Sequence, residues 1–167
     1  SESDLEFSGR MSPPGTADAG AGAFNTNSSL WNNSRAPGSD GFYLILHEML
    51  HGLGFAHPHD NGGSSEVLQG VIDENSSYGL FGLNQGLYTN ITYNEGFPEG
   101  ASIHPNWGNE GGPMALDIAL LQQKYGANTG TNNGDDIYTL TTGNQAGQFF
   151  TAIWDTGGVD SIEYAGS

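Results

Sequence analysis

Apolar and polar residues alternate at the start of the chain, and two helical patterns then interrupt a sequence otherwise dominated by turns. Asp4 to Gly9 alternate as a short half-buried strand does, and Ala21 to Thr26 read as a second strand. Between them, Met11 to Gly20 is rich in Pro, Gly, Ala and Ser and reads as a loop. Asn27 to Gly38 is polar and Asn-rich, anchored by Leu30 and Trp31. Leu44, Ile45, Leu46, Met49, Leu50 and Leu53 then supply an apolar helix, with Ser39 or Asp40 as N-cap. Turn signals follow between Pro58 and Gly86, including Asp60-Asn61-Gly62-Gly63 and Asn75-Ser76-Ser77. A second helix has both ends marked: Pro113 at N1, apolar residues at Met114, Ile118, Leu121 and Tyr125, Lys124 in the last turn and Gly126 at C′.

Composition narrows what such a chain can be. With 167 residues it has length for one ordinary core plus an appendage. Its 35% hydrophobic content and 27 glycines are poor material for an apolar core, so bound ions or further segments must contribute to order. Three cations, Arg10, Arg35 and Lys124, stand against nineteen carboxylates, a formal net charge of −16. That balance argues against nucleic acid and anionic membrane surfaces as partners and favours bound cations. Cysteine is absent, so no disulfide stabilises the fold, and calcium can take that part in a secreted protein. No apolar run reaches membrane-spanning length, and no signal peptide opens the chain.

The candidate chemistry is concentrated in His47-Glu48-Met49-Leu50-His51-Gly52-Leu53-Gly54-Phe55-Ala56-His57. His47 and His51 are one helical turn apart on the same face, the spacing that lets two imidazoles share one Zn²⁺. Glu48 lies about 100° round the helix, within reach of a metal-bound water without being a ligand. If the helix continued, His57 would be carried roughly 9 Å further along the axis, onto another face. Gly54 is the residue that tolerates the positive φ needed to turn the chain back. Three histidines then converge and leave a fourth position open, the arrangement of a catalytic zinc site. His59 and His104 have no motif support and are expected at the surface.

HExxHxxGxxH is the signature of the metzincin zinc endopeptidases. The continuation His57-Pro58, with Asp117-Ile118-Ala119, Gln122 and Tyr125-Gly126-Ala127-Asn128 downstream, resembles the serralysin branch. The resemblance implies an α+β, metzincin-like fold that is N-terminally incomplete and runs into the beginning of a parallel β-roll. Residues 1–128 correspond to the C-terminal portion of the catalytic domain, and 129–167 to the calcium-binding linker and first roll strand, Ser161 to Ala165. Only 46 residues precede His47, room for about two strands. The rest of the catalytic domain is therefore expected as a partner segment.

The same resemblance carries roles onto particular residues. His47, His51 and His57 would bind zinc, Glu48 would be the general base, and Tyr93 would approach the metal and stabilise the oxyanion. Thr89 to Tyr93 would form the Met-turn, with Ile91 where the family has methionine; Met114 is a rival for that place but opens the second helix. Ala21 to Thr26 would be the edge strand bordering the cleft, and the second helix would pack beneath the lower half of the site. Calcium would be held by the carbonyls of Asn132, Gly134 and Gly157 and the carboxylates of Asp136, Asp155 and Asp160, with Asp136 standing where the family usually has threonine. The implied activity is hydrolysis of peptide bonds in extracellular proteins by a secreted enzyme. The competing reading is a catalytically impaired zinc- and calcium-binding module, consistent with Ile91 and the short front half.

Overall fold

The computed structural model describes residues 7–32, 34–61, 65–96, 104–140, 142, 147–164 and 166. Of the features expected from sequence, Asp4, Leu5 and Glu6 of the first strand, Gly62 and Gly63 of a turn, and Ala165 at the end of the last strand lie outside the described residues.

The chain opens with a small antiparallel pair, β1 (Gly9–Met11) and β2 (Gly22–Phe24), in the register Gly9 with Phe24 and Met11 with Gly22. Strand β1 thus begins where the expected alternation ends, and Met11 belongs to it rather than to the loop. A single turn, α1 (Ser29–Asn32), follows. Its Trp31 ring stacks on Phe24 at 4.9 Å, and the Arg35 guanidinium lies over the indole at 5.1 Å. Trp31 is thus an anchor, as the sequence pattern indicates, and Leu30 beside it is half-buried.

Helix α2 (Asp40–Gly52) starts after Ser39, as its polar–apolar boundary requires. Ser39 occupies the N-cap position without capping through its side chain; its hydroxyl instead bonds back to the Ala36 carbonyl at 2.6 Å and to that of Ser34. The helix buries Leu44, His47, Glu48 and Leu50, so one face mixes core leucines with the candidate chemistry.

Helix α3 (Ala115–Tyr125) begins two residues later than expected. Met114 is the N-cap, and Asp117 at N3 accepts the Met114 N–H at 2.9 Å, which leaves Pro113 outside the helix rather than at N1. Gly126 ends it at φ 90°. Tyr125 is exposed rather than part of an apolar stripe, and its hydroxyl donates to the Leu53 carbonyl at 2.8 Å. Lys124 Nζ reaches the Gly54 carbonyl at 3.2 Å, so α3 docks through its last turn on the end of α2.

The buried residues between these helices are largely polar. Leu44, Leu50, Val71, Ile91 and Met114 form the apolar core, whereas Asn84, Asn90, Thr92 and Ser39 are the largest fully buried side chains. Thr92 donates to Asn84 Oδ1 at 2.6 Å, Asn84 to the Ser77 carbonyl at 2.7 Å, and Asn94 to the Asn84 carbonyl at 3.0 Å. Apart from one 3-10 turn at Leu80–Gly82, the segment from 72 to 94 is thus held largely by side-chain amides, as buried backbone outside helices and strands must be. At the end of the chain, β3 (Ile137–Leu140) and β4 (Ser161–Tyr164) pair in parallel, Ile137 with Ser161 and Leu140 with Tyr164. Among the described residues no helix is long and apolar enough to cross a membrane.

Candidate metal centre and active site

Helix α2 presents His47 and His51 on one face, and Gly54 at φ 83° turns the chain so that His57 folds back over them. His57 Nε2 lies 3.0 Å from His47 Nε2 and 3.0 Å from His51 Nε2. Two nitrogen ligands at about 2.0–2.1 Å from one tetrahedral metal stand roughly 3.3 Å apart, so the cluster has the spread of a shared cation.

The other ring nitrogens decide the protonation pattern. His47 Nδ1 faces the Asn90 carbonyl at 2.7 Å, His51 Nδ1 the Phe55 carbonyl at 2.9 Å and His57 Nδ1 the Asp60 carboxylate at 2.6 Å. All three partners can only accept, so each Nδ1 carries the proton and each Nε2 keeps its lone pair. With the Nδ1 atoms turned to acceptors, the three Nε2 atoms face one another at the distance a shared cation would span. Burial holds His47 neutral, down to about 3, with the neighbouring His51 adding to the effect. Burial also lowers His57, against the opposing pull of Asp60. The Asp60 carboxylate, the Asn90 and Phe55 carbonyls and their roles carry no signal in the sequence, apart from the closeness of Asp60 to the motif.

Glu48 is 5% exposed, and burial raises its carboxyl to about 7. Its side chain lies along the backbone of Gly9; a β-carbon there would come within 2.7 Å of Glu48 Cγ. Gly9 therefore brings β1 against the helix. A cavity of about 470 Å³ runs between them, lined by Phe7 to Met11 together with His47, Glu48, His51, His57 and Tyr93. The strand bordering the cleft is thus β1. Strand β2, expected in that position, pairs on the far side of β1 and does not line the cavity.

Turn 89–92 closes the site from below. Ile91 is buried at 4% exposure, and the same turn supplies the Asn90 carbonyl to His47 and the Thr92 carbonyl to the Tyr43 hydroxyl at 2.6 Å. Asp117 of α3 fixes it by accepting from Thr89 Oγ1 at 2.6 Å and from the Asn90 N–H at 2.9 Å. This is how α3 supports the lower half of the site: through one buried carboxylate more than through an apolar stripe. Met114 is buried too, but at the start of α3. Tyr93 follows the turn, half exposed, with its ring 4.5 Å from His57 and 5.8 Å from His47. His59, expected at the surface, is only 13% exposed, stacked parallel to His57 at 5.0 Å and against Tyr93 at 5.0 Å. His104 is exposed, as expected.

A second cluster forms where β3 and β4 begin. Carboxylate oxygens of Asp136, Asp155 and Asp160 lie within 4.8 Å of one another. Asp160 accepts the Asp136 N–H at 2.9 Å, Asp155 accepts from Tyr138 Oη at 2.5 Å and from the Gly157 N–H at 2.8 Å, and Asp136 Oδ2 is buried without a partner. The Tyr138 hydroxyl and the Gly157 N–H hold Asp155 below the usual carboxylate range. Asn132, Gly134 and Gly157 lie in the two loops that meet here.

No protein-family model matches the chain. Individual proteins do. It is 32% identical over 160 residues to serralysin C of Dickeya chrysanthemi, 89% of this chain and 31% of that protein. It is 28% identical to serralysin of Proteus mirabilis, covering 99% of this chain and 37% of the relative. To metallopeptidase AprA of Pseudomonas marginalis it is 30% identical, across 92% of this chain and 34% of the relative. The chain thus spans about a third of the length of the curated relatives it matches.

Proposed function

From its similarity, over most of its length, to serralysin-type metalloproteases, we propose that this chain carries the zinc-binding and catalytic part of a secreted endopeptidase. In this reading His47, His51 and His57 hold the zinc, and the observation that carries it is the convergence of their three Nε2 atoms. When bound, zinc supplies Lewis acidity: it lowers the pKa of a water to about 7 and polarises the scissile carbonyl.

The chain's own residues do the rest. An extended substrate lies along the backbone of β1, which adds main-chain hydrogen bonds with little demand on sequence. Glu48, lifted towards neutrality by burial, takes the proton of the attacking water and delivers it to the leaving amine. The Tyr93 hydroxyl donates a hydrogen bond to the oxyanion as it develops. Ile91 fills the apolar floor that a methionine fills in the metzincin pattern. Asp60, Asn90 and Phe55 hold the imidazoles in the ligating tautomer. In the same reading Asp136, Asp155 and Asp160, with the carbonyls of Asn132, Gly134 and Gly157, hold calcium, and the parallel β3–β4 pair is the start of a β-roll.

Replacing Glu48 tests the enzyme reading, because that residue is not a ligand. Glu48→Gln is expected to retain one zinc per chain by metal analysis while hydrolysis of a quenched peptide falls by orders of magnitude. Tyr93→Phe is expected to keep zinc and reduce kcat by about 10²–10³ with little change in KM. Zinc-loaded protein that cleaves no peptide in its full natural context would favour a binding module instead.

A further inference from the structure

Glu110 is a buried ionisable group for which the chemistry above has no use. It is 3% exposed, and its Oε2 has no hydrogen-bond partner. Its position is fixed by the backbone on either side: Gly108 N–H bonds to the Gln148 carbonyl, Asn109 N–H to that of Gly38 and Gly111 N–H to that of Phe150. Burial lifts Glu110 to about 8, and the nearby Asp117 charge pushes the same way. Leaving a carboxyl oxygen buried and unbonded is costly, so such a group calls for a partner from outside the fold.

That partner has a place to sit. Glu110 lines a cavity of about 160 Å³ together with Asp40, Glu95 and Asn109. Tyr43 and Tyr93 line this cavity and also the cleft over the histidines, so the two spaces share a wall. Burial grades the acids from exposed Glu95, through half-buried Asp40, to buried Glu110. Among the described residues no Lys or Arg lines it.

We propose that this cavity is a side pocket of the cleft that takes the cationic end of an arginine or lysine side chain of the substrate, with Glu110 as the specificity-determining carboxylate. The inference rests on the endopeptidase reading. A bare metal ion fits less well, since Asp40, Glu95 and Glu110 are not among the acid clusters whose ligand atoms converge within 4.8 Å. A guanidinium or ammonium group spreads its donors over several acceptors and does not need that convergence. Asp40 already accepts the Asn109 amide at 2.9 Å, which orients the wall, and Glu110 Oε2 is a buried acceptor in that wall without a hydrogen-bond partner.

The test uses the whole natural protein and quenched peptides identical except for Arg, Lys or Gln at each position flanking the scissile bond. At one position Arg or Lys is expected to raise kcat/KM about 10- to 100-fold over Gln. Glu110→Gln is expected to bring that ratio near unity while leaving hydrolysis of the Gln peptide unchanged. Glu95→Gln, at the exposed rim, is expected to reduce the ratio partly, and it carries the test if Glu110→Gln does not fold. Hydrolysis with no basic preference at any position, or a preference that survives both substitutions, overturns the pocket while leaving the protease intact. If no peptide is cleaved, the protease reading falls and titration with N-acetyl-arginine amide decides the pocket separately. Saturable binding lost in Glu110→Gln supports a cation pocket, and no binding overturns it. Binding of calcium at Glu110 with none of the arginine amide would also overturn it, in favour of a metal site.

Discussion

Asp60 shows how a single side chain can matter to a metal centre without belonging to its motif. Its carboxylate holds His57 Nδ1 at 2.6 Å and so restrains the swing of the one histidine of the cluster that does not come from a helix. Asp60→Ala is expected to weaken zinc binding about 10- to 100-fold, measured by competition with a chelating dye, with the helix content unchanged. Two other residues set opposite pH dependences. His47 is held down to about 3 from the ordinary 6.5, so its contribution to metal-free stability is present above about 6.5 and is lost as pH falls towards 3. Glu110 is raised to about 8, so its contribution is fully present below the ordinary glutamate range and is lost as pH rises through 8. Glu110→Gln is expected to flatten the alkaline side of the denaturation midpoint by roughly a few kcal/mol at most, read from urea melts between pH 5 and 9. The convergence of His47, His51 and His57, with Glu48 beside them, is legible because helix geometry gives their spacing a meaning. Asn90 and Phe55 were not, because they act through carbonyls that every residue possesses. His59 was misplaced because nothing in its neighbours announces the stacking partners Tyr93 and His57.

At the scale of elements, the ends of α2 follow from composition, whereas the support beneath the site does not. Gly54 was identifiable because a reversal before His57 demands positive φ, and the chain takes it there. Gly54→Ala is expected to cost about 1–2 kcal/mol and to loosen zinc, since its new methyl would be strained at that φ and would run into Lys124. The start of α3 shifted because a proline near a helix start does not say whether it stands inside or before the cap; the Asp117 bond to the Met114 N–H decides it. That aspartate also ties down the turn bearing Asn90. Asp117→Ala leaves Thr89, Asn90 and Met114 donors without their acceptor and is expected to destabilise by about 3 kcal/mol or more, with weakened zinc binding as a second readout. Ile91→Met, by contrast, should shift stability by less than about 1.5 kcal/mol, because the floor keeps its volume. Sequence periodicity could not say which of two three-residue strands faces the cleft; the bare backbone of Gly9 against Glu48 gives that place to β1.

For the whole molecule, the histidine cluster and the aspartate cluster lie in parts of the chain with different means of support. The first rests on α2, α3 and the amide-filled turns, the second on two four-residue strands whose side chains are mostly exposed. If calcium bridges Asp136, Asp155 and Asp160, its removal is expected to speed hydrogen exchange across β3 and β4 before it affects α2; equal exchange with and without calcium would make these carboxylates ordinary turn residues. The amide-rich interior has a thermal consequence as well. Unfolding apolar surface raises heat capacity by about 0.45 cal/K/mol per Å², while unfolding polar surface lowers it by about 0.26. A chain whose largest fully buried side chains are Asn84, Asn90, Thr92 and Ser39 exposes an unusual share of the second kind. Its heat-capacity increment should therefore fall below the common 12–15 cal/mol/K per residue, and calorimetry of the metal-loaded protein can read that directly. The stability curve would then be broad and shallow, with resistance to cold exceeding what so small an apolar core would otherwise allow.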